Sequence, residues 1–220
     1  VTGRFLGIAV DNDSGSMFHN LFARQAGSEQ IASPFALAVL AGLFWRFLPP
    51  KALEVGAGIG TMTALLCWRG VEIDYVEDSV WCRERLRAML PYRGIQELRT
   101  ASLVPTYPLA VIDGDQLPAG QVVPMLLRGA WIFVEGNRRR WRADLAHYCR
   151  ITRRGVAAVH LRPFDRSKGV WLIQLDPTVG WRLRFALERG WQAVLTGASR
   201  AWSWLTGSTY YRGKRRQVPA

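Results

Sequence analysis

The stretch Lys51-Ala52-Leu53-Glu54-Val55-Gly56-Ala57-Gly58-Ile59-Gly60 constrains this chain more than any other part of it. Five residues of strand character run straight into three glycines at alternate positions, and an apolar helical segment over 61–69 follows. Glycines permit positive φ angles and let a ligand approach the backbone closely. A helix that starts at such a turn offers unpaired N–H groups and a partial positive charge. A second apolar strand over 71–76 ends in Glu77-Asp78. Strand, loop, helix and strand at this spacing are the repeating unit of a parallel sheet.

The alternation continues in both directions. Apolar positions from Ile31 to Leu48 predict a helix over 28–48, stopped by Pro49-Pro50. Ser79 is placed to cap a helix over 80–90. Strands are expected over 95–100, 109–112 and 130–134, with a short helical segment over 122–127. Segments 156–161 and 170–175 read as a terminal antiparallel hairpin around residues 165–169. These elements predict an α/β, doubly wound, mostly parallel sheet over 28–176. An irregular lead-in (1–27) precedes it and a basic Trp/Arg-rich extension (177–220) follows.

Cys67, Cys82 and Cys149 are odd in number and widely spaced, with no CxxC or Cys/His ligand spacing, so they suggest neither a disulfide framework nor a zinc site and read as small buried hydrophobes. The N-terminus lacks a signal-peptide pattern, and the longest apolar run, 35–45, is too short to cross a bilayer. The expectation is a cytoplasmic protein, with a peripheral membrane location as its variant.

Two cofactor classes compete for the glycine loop. A dinucleotide fingerprint needs its third glycine three residues after the second. Here the interval is two and Thr61 stands at the next position, which disfavours NAD and FAD. Glu77 follows Gly60 by 17 residues at the end of the next strand. A carboxylate there can accept two hydrogen bonds from a vicinal diol.

The run Glu54-x-Gly56-x-Gly58-x-Gly60 with Glu77 in register resembles motif I and the ribose acid of class I S-adenosylmethionine-dependent methyltransferases. Ser28-Glu29-Gln30 is similar to the "P-E-Q-G" stretch of catechol-type O-methyltransferases. Ile112-Asp113-Gly114-Asp115 resembles the "I-D-G-D" that ends strand four in small-molecule O-methyltransferases, including the macrocin type. Residues 129–135 resemble their fifth strand. The resemblance implies a Rossmann-like seven-stranded sheet and methyl transfer to an oxygen of a small molecule or glycan. It also implies S-adenosylmethionine contacts at Glu29, Glu54, Gly56, Ala57, Gly58, Gly60, Glu77, Asp78 and Asp113.

The resemblance also bears on the chemistry. Asp113 and Asp115 match positions that act at the acceptor, Asp115 as general base. In the metal-dependent branch, Asp113 and Glu135 would be ligands to a divalent cation. Gly136 stands where another acid is usual, and Asn137 is one residue out of register. No Asn/Asp-Pro-Pro-Tyr/Phe motif follows strand four, which argues against methylation of DNA amino groups. His147 and His160 read as residues outside the chemistry.

The charge is distributed unevenly. Residues 1–127 hold 10 Lys/Arg against 12 Asp/Glu, whereas 128–220 hold 19 against 5. Such a surface suits phosphates of nucleic acid or lipid. Within 181–205, Leu187, Trp191, Val194, Ala198, Ala201 and Leu205 share one helical face, and Lys214-Arg215-Arg216 adds charge beyond it. Three roles fit: packing on the domain or in a homo-oligomer, contact with an anionic membrane, and a grip on RNA. RNA methylation and a non-catalytic cofactor-binding or membrane-associated role are therefore the alternatives to small-molecule O-methylation.

Overall fold

Residues 4–91, 94–98, 104–162 and 169–205 are described by a computed structural model. Seven strands form one sheet: β3 (Lys51–Val55), β4 (Glu72–Val76), β5 (Ile95–Glu97), β6 (Tyr107–Ile112), β7 (Leu126–Glu135), β8 (Val156–Leu161) and β9 (Val170–Leu175). Their order is β5-β4-β3-β6-β7-β9-β8, and β9 alone runs antiparallel to its neighbours. The expected mostly parallel sheet with its terminal hairpin is thus present. The intervening loop at 165–168, and residues 99–100 of the expected strand, lie outside the described residues.

Helices cover both faces of the sheet. α1 (Asn12–Phe22), α2 (Pro34–Phe44), α3 (Thr61–Trp68) and Leu86 of α4 (Val80–Met89) pack on one face. α5 (Ala119–Val122) and α6 (Arg139–Ile151) pack on the other. Ser79 Oγ accepts the Cys82 N–H, as expected of a cap that stabilises a helix by ~1 kcal/mol.

Three segments differ from expectation. The lead-in is not irregular: Arg4–Phe5 (β1) and Ile8–Ala9 (β2) pair antiparallel, and α1 follows, capped by Asp11. Ser14, Gly15 and Ser16 give this helix weak propensity, so it forms by burying Phe18 and Phe22 in the core. The long helix over 28–48 is divided. A 3₁₀ turn at Ser28–Gln30 is followed by extended Ile31, and Ser33 caps α2 with Pro34 in its first turn. Segment 122–127 is not one helix. A 3₁₀ turn over Val123–Met125 succeeds α5, and β7 begins at Leu126.

Residues Val179–Leu205 form α7, whose first turns belong to the domain. Phe185 is fully buried, Trp181 meets Trp131 edge-on at 5.1 Å, and Glu188 accepts the Leu6 N–H at 2.9 Å. The face anticipated as apolar, with Leu187, Trp191 and Val194, instead points away from the sheet and is exposed. Residues 214–216 lie outside the described residues, as do the side chains at 198, 201 and 205.

Candidate functional site

Strand register assembles the site. Val55 of β3 pairs with Val76 of β4 and with Ile112 of β6, and Ile112 pairs with Val134 of β7. The next residue on each strand is therefore Gly56, Glu77, Asp113 or Glu135, in one row at the carboxyl ends of four strands. Between β3 and β6 the strand order reverses, which is where ligands of open α/β sheets bind. A cavity of about 670 Å³ opens there, within the usual size of a small-molecule site.

The cavity is lined by Glu29, Glu54, Gly56, Ala57, Gly58, Glu77, Asp78, Asp113 and Glu135, all singled out from the sequence. Gly60 is not on its wall; with φ +96 it starts α3 against Leu86 and Leu90. Asp115 is not on the wall either. Its side chain is 63% exposed and stands 3.8 Å from Arg138 Nη1. His147 is exposed and does not line the cavity. His160 lies on edge strand β8, stacked on Trp171 at 4.5 Å. Burial, with Arg162 and Arg142 nearby, lowers its pKa to about 4.

Glu77 holds the glycine loop in shape. Its Oε2 accepts the Gly58 N–H at 2.7 Å and its Oε1 accepts the Ser79 N–H at 2.9 Å. One carboxylate thereby ties the β3 loop to the start of α4, and each oxygen keeps a second acceptor site for a ligand hydroxyl. Behind the loop, Glu54 is fully buried and accepts the Thr63 hydroxyl at 2.7 Å. Desolvation, with Asp113 and Glu77 adding repulsion, raises its pKa to about 8.

Folded protein therefore keeps a proton on Glu54 that the unfolded chain releases near the ordinary value of 4.5. Its contribution to stability is complete below about pH 4.5 and is lost as pH rises to about 8. Urea midpoints should fall across that window in the wild type, and less steeply in Glu54→Gln, which keeps the Thr63 bond.

Arg138 was missed in the sequence, where it is the first residue of the biased run Arg138-Arg139-Arg140-Trp141-Arg142. The chain turns at Gly136 (φ +70) after β7 and brings Arg138 back over the cavity. Its Nη2 donates to Asp113 Oδ1 at 2.8 Å and also to the Asp113 carbonyl. It is the only Lys or Arg lining the cavity among the described residues, against six carboxylates. An arginine three residues after a strand-end acid was the available signal. Gln116 was missed as well; its Oε1 is buried on the cavity wall without a hydrogen-bond partner.

Glu135 is buried beside Asp113 and accepts the Ser33 N–H at 2.8 Å. Desolvation and the neighbouring Asp113 raise its pKa to about 8. A divalent metal does not suit this donor set. Arg138 already holds Asp113, Gly136 has no side chain, and Asn137 Oδ1 accepts from Arg142 at 3.1 Å. No group of three His, Cys, Asp or Glu able to hold a metal occurs among the described residues, and hard divalent ions need several oxygens.

This architecture is the class I S-adenosylmethionine-dependent methyltransferase fold. An O-methyltransferase from Bacillus cereus in complex with S-adenosylhomocysteine is similar, with TM-score 0.57 and 14% identity over 74% of this chain and 90% of that one. The O-methyltransferase TomG from Streptomyces achromogenes, involved in tomaymycin synthesis and bound to S-adenosylmethionine, gives TM-score 0.53. Its identity is 10%, over 76% of this chain and 90% of that one. A methyltransferase from Podospora anserina bound to S-adenosylhomocysteine gives TM-score 0.50 and 15% identity, over 73% and 87% of the two chains. At these identities the likeness is one of fold. No protein-family model matches the chain, and no curated protein matches it.

Proposed function

We propose that the protein transfers a methyl group from S-adenosylmethionine to an oxygen of a small-molecule acceptor held against Asp113. The observation that carries this is the row Gly56, Glu77, Asp113 and Glu135 at the rim of one cavity. With Glu54 and Glu135 protonated, four further acids (Glu29, Glu77, Asp78 and Asp113) against one arginine suit a ligand with sulfonium and ammonium charges. The glycine loop and the first turn of α3 would hold the amino-acid portion, and Glu77 the ribose hydroxyls. The orphaned Gln116 Oε1 offers an acceptor for an adenine amino group. Two similar folds are named O-methyltransferases, which supports oxygen as the acceptor atom.

When bound, S-adenosylmethionine supplies an electrophilic methyl group on a positively charged sulfur. The residues of this chain orient the acceptor and handle its proton. Arg138 pairs with Asp113 and aims it into the cavity, where Asp113 takes the acceptor proton. Glu135, protonated at neutral pH, donates a hydrogen bond to the same region.

Titration calorimetry with S-adenosylmethionine, S-adenosylhomocysteine and NAD tests the cofactor. Binding of both S-adenosyl ligands and none of NAD is expected; NAD binding alone overturns the reading. Release of S-adenosylhomocysteine with hydroxylated small molecules, compared with RNA, then tests the acceptor. Turnover on RNA alone would replace a small-molecule oxygen acceptor.

A further inference from the structure

Helix α7 is held to the domain along one line, at Trp181, Phe185 and Glu188. On its other side Val179, Leu183, Leu187, Trp191 and Val194 are 57–81% exposed. At 100° per residue these five fall within an arc of about 120°. No charged residue of 179–194 lies in that arc: Arg182 and Arg189 border it on one side and Arg184 on the other. An uncharged stripe edged by arginines has the geometry of a helix lying in a membrane interface, its cations reaching outward to headgroups.

A second patch of tryptophan and arginine lies beside the first turn of α7. Trp45, Arg46 and Trp181 line one groove, in which Arg46 stacks over Trp181 at 5.6 Å. Next to it Arg69 stands 4.6 Å from both Trp45 and Trp68, whose rings are exposed. Tryptophan and arginine together suit the boundary between headgroup and acyl chain, where one end of each side chain is wet and the other is not. The groove also includes Phe47, before β3, and Gly129, early in β7. It therefore lies at the end of the sheet opposite the cofactor cavity, which a contact there leaves open.

Charge selects among possible occupants. A second copy docked on this face would set its own Arg182, Arg184 and Arg189 against those of this helix. Nucleic acid would draw cations to the centre of the contact, where this arc is aliphatic. An anionic bilayer accepts the apolar centre and the basic borders together.

We propose that the exposed arc of α7 docks the protein on an anionic membrane surface, close to the Trp45–Arg46–Trp181 groove. No helix among the described residues is long and apolar enough to cross a membrane, so the contact is peripheral. The test is flotation of the full chain with vesicles of phosphatidylcholine alone or mixed equally with phosphatidylserine. Wild type should float with the mixed vesicles at low salt, with a blue shift in tryptophan emission, and stay behind with phosphatidylcholine alone. The triple variant Leu183→Ser, Leu187→Ser, Trp191→Ser should lose roughly 100-fold in vesicle affinity. Its thermal midpoint and S-adenosylmethionine affinity should match wild type, which separates docking from folding and from the cofactor reading. Failure of wild type to float overturns the proposal, as does equal flotation of the variant. It is overturned too by a dimer that the variant abolishes without flotation by either protein, or by salt-sensitive RNA binding in place of vesicles.

Discussion

Gly56→Ala should unfold or severely destabilise the protein, whereas Gly58→Ala should leave it folded but unable to bind S-adenosylmethionine. Both glycines adopt positive φ, +83 and +54, which costs an L-residue roughly 1–2 kcal/mol. Their surroundings differ. A Cβ on Gly56 would lie 2.5 Å from the Gly114 nitrogen and 2.8 Å from the Asp113 carbonyl carbon. That neighbour is backbone, anchored by the Asp113 N–H to Val55 O bond at 2.8 Å, and cannot swing aside. The clash must separate β3 from β6 at the point where the site is built. A Cβ on Gly58 meets no atom within 4 Å, so its folded-state cost is φ strain alone. It would, however, occupy the cavity wall where the proposed cofactor must approach the loop. Thermal melts and calorimetry on both variants give the comparison. A stable, cofactor-binding Gly56→Ala would contradict the close crossing of these two loops, and full affinity in Gly58→Ala would remove the loop from the binding site.

The elements around this crossing were the most legible part of the chain, because local signals and tertiary burial agree there. The strand over 51–55, the Ser79 cap and the hairpin strands at 156–161 and 170–175 lie where the sequence pattern puts them. Agreement fails where burial overrides local preference. α1 forms from a Ser/Gly-rich segment because Phe18 and Phe22, four apart, find a core. The packed face of α7 was hidden by Glu188, whose charge interrupts the apolar pattern and whose partner, the Leu6 N–H, is 182 residues away.

In the site, acids at strand ends were legible because strand register brings them together. Arg138 and Gln116 were not, since each enters the cavity from a loop whose path depends on the assembled sheet. Asp115 shows the converse. Three residues beyond the end of β6, the chain has already turned outward, and its carboxylate meets Arg138 from the solvent side.

Asp113→Asn should lower turnover by about 100- to 1,000-fold, the scale of a lost general base, while changing cofactor affinity by less than about tenfold. Asparagine keeps the shape and an oxygen for Arg138 Nη2, so the 2.8 Å contact can persist as a weaker, neutral hydrogen bond. What disappears is the negative charge. Without it no ionised base faces the acceptor, and Glu135 loses the repulsion that adds to its desolvation in holding its pKa high. The rate should therefore collapse while Glu135 becomes easier to ionise, shifting the residual pH profile to lower pH. Arg138→Gln acts in the opposite sense. It removes the cation from Asp113 and leaves two carboxylates facing each other, so the pair should hold a proton to higher pH and activity should recover only as pH rises. A chelator should leave wild-type turnover unchanged, since Arg138 occupies Asp113 where a metal would have to bind. If Asp113→Asn lost cofactor affinity and turnover in equal measure, Asp113 would be a support for the loop at Gly56 and the acceptor proton would have to leave by another route.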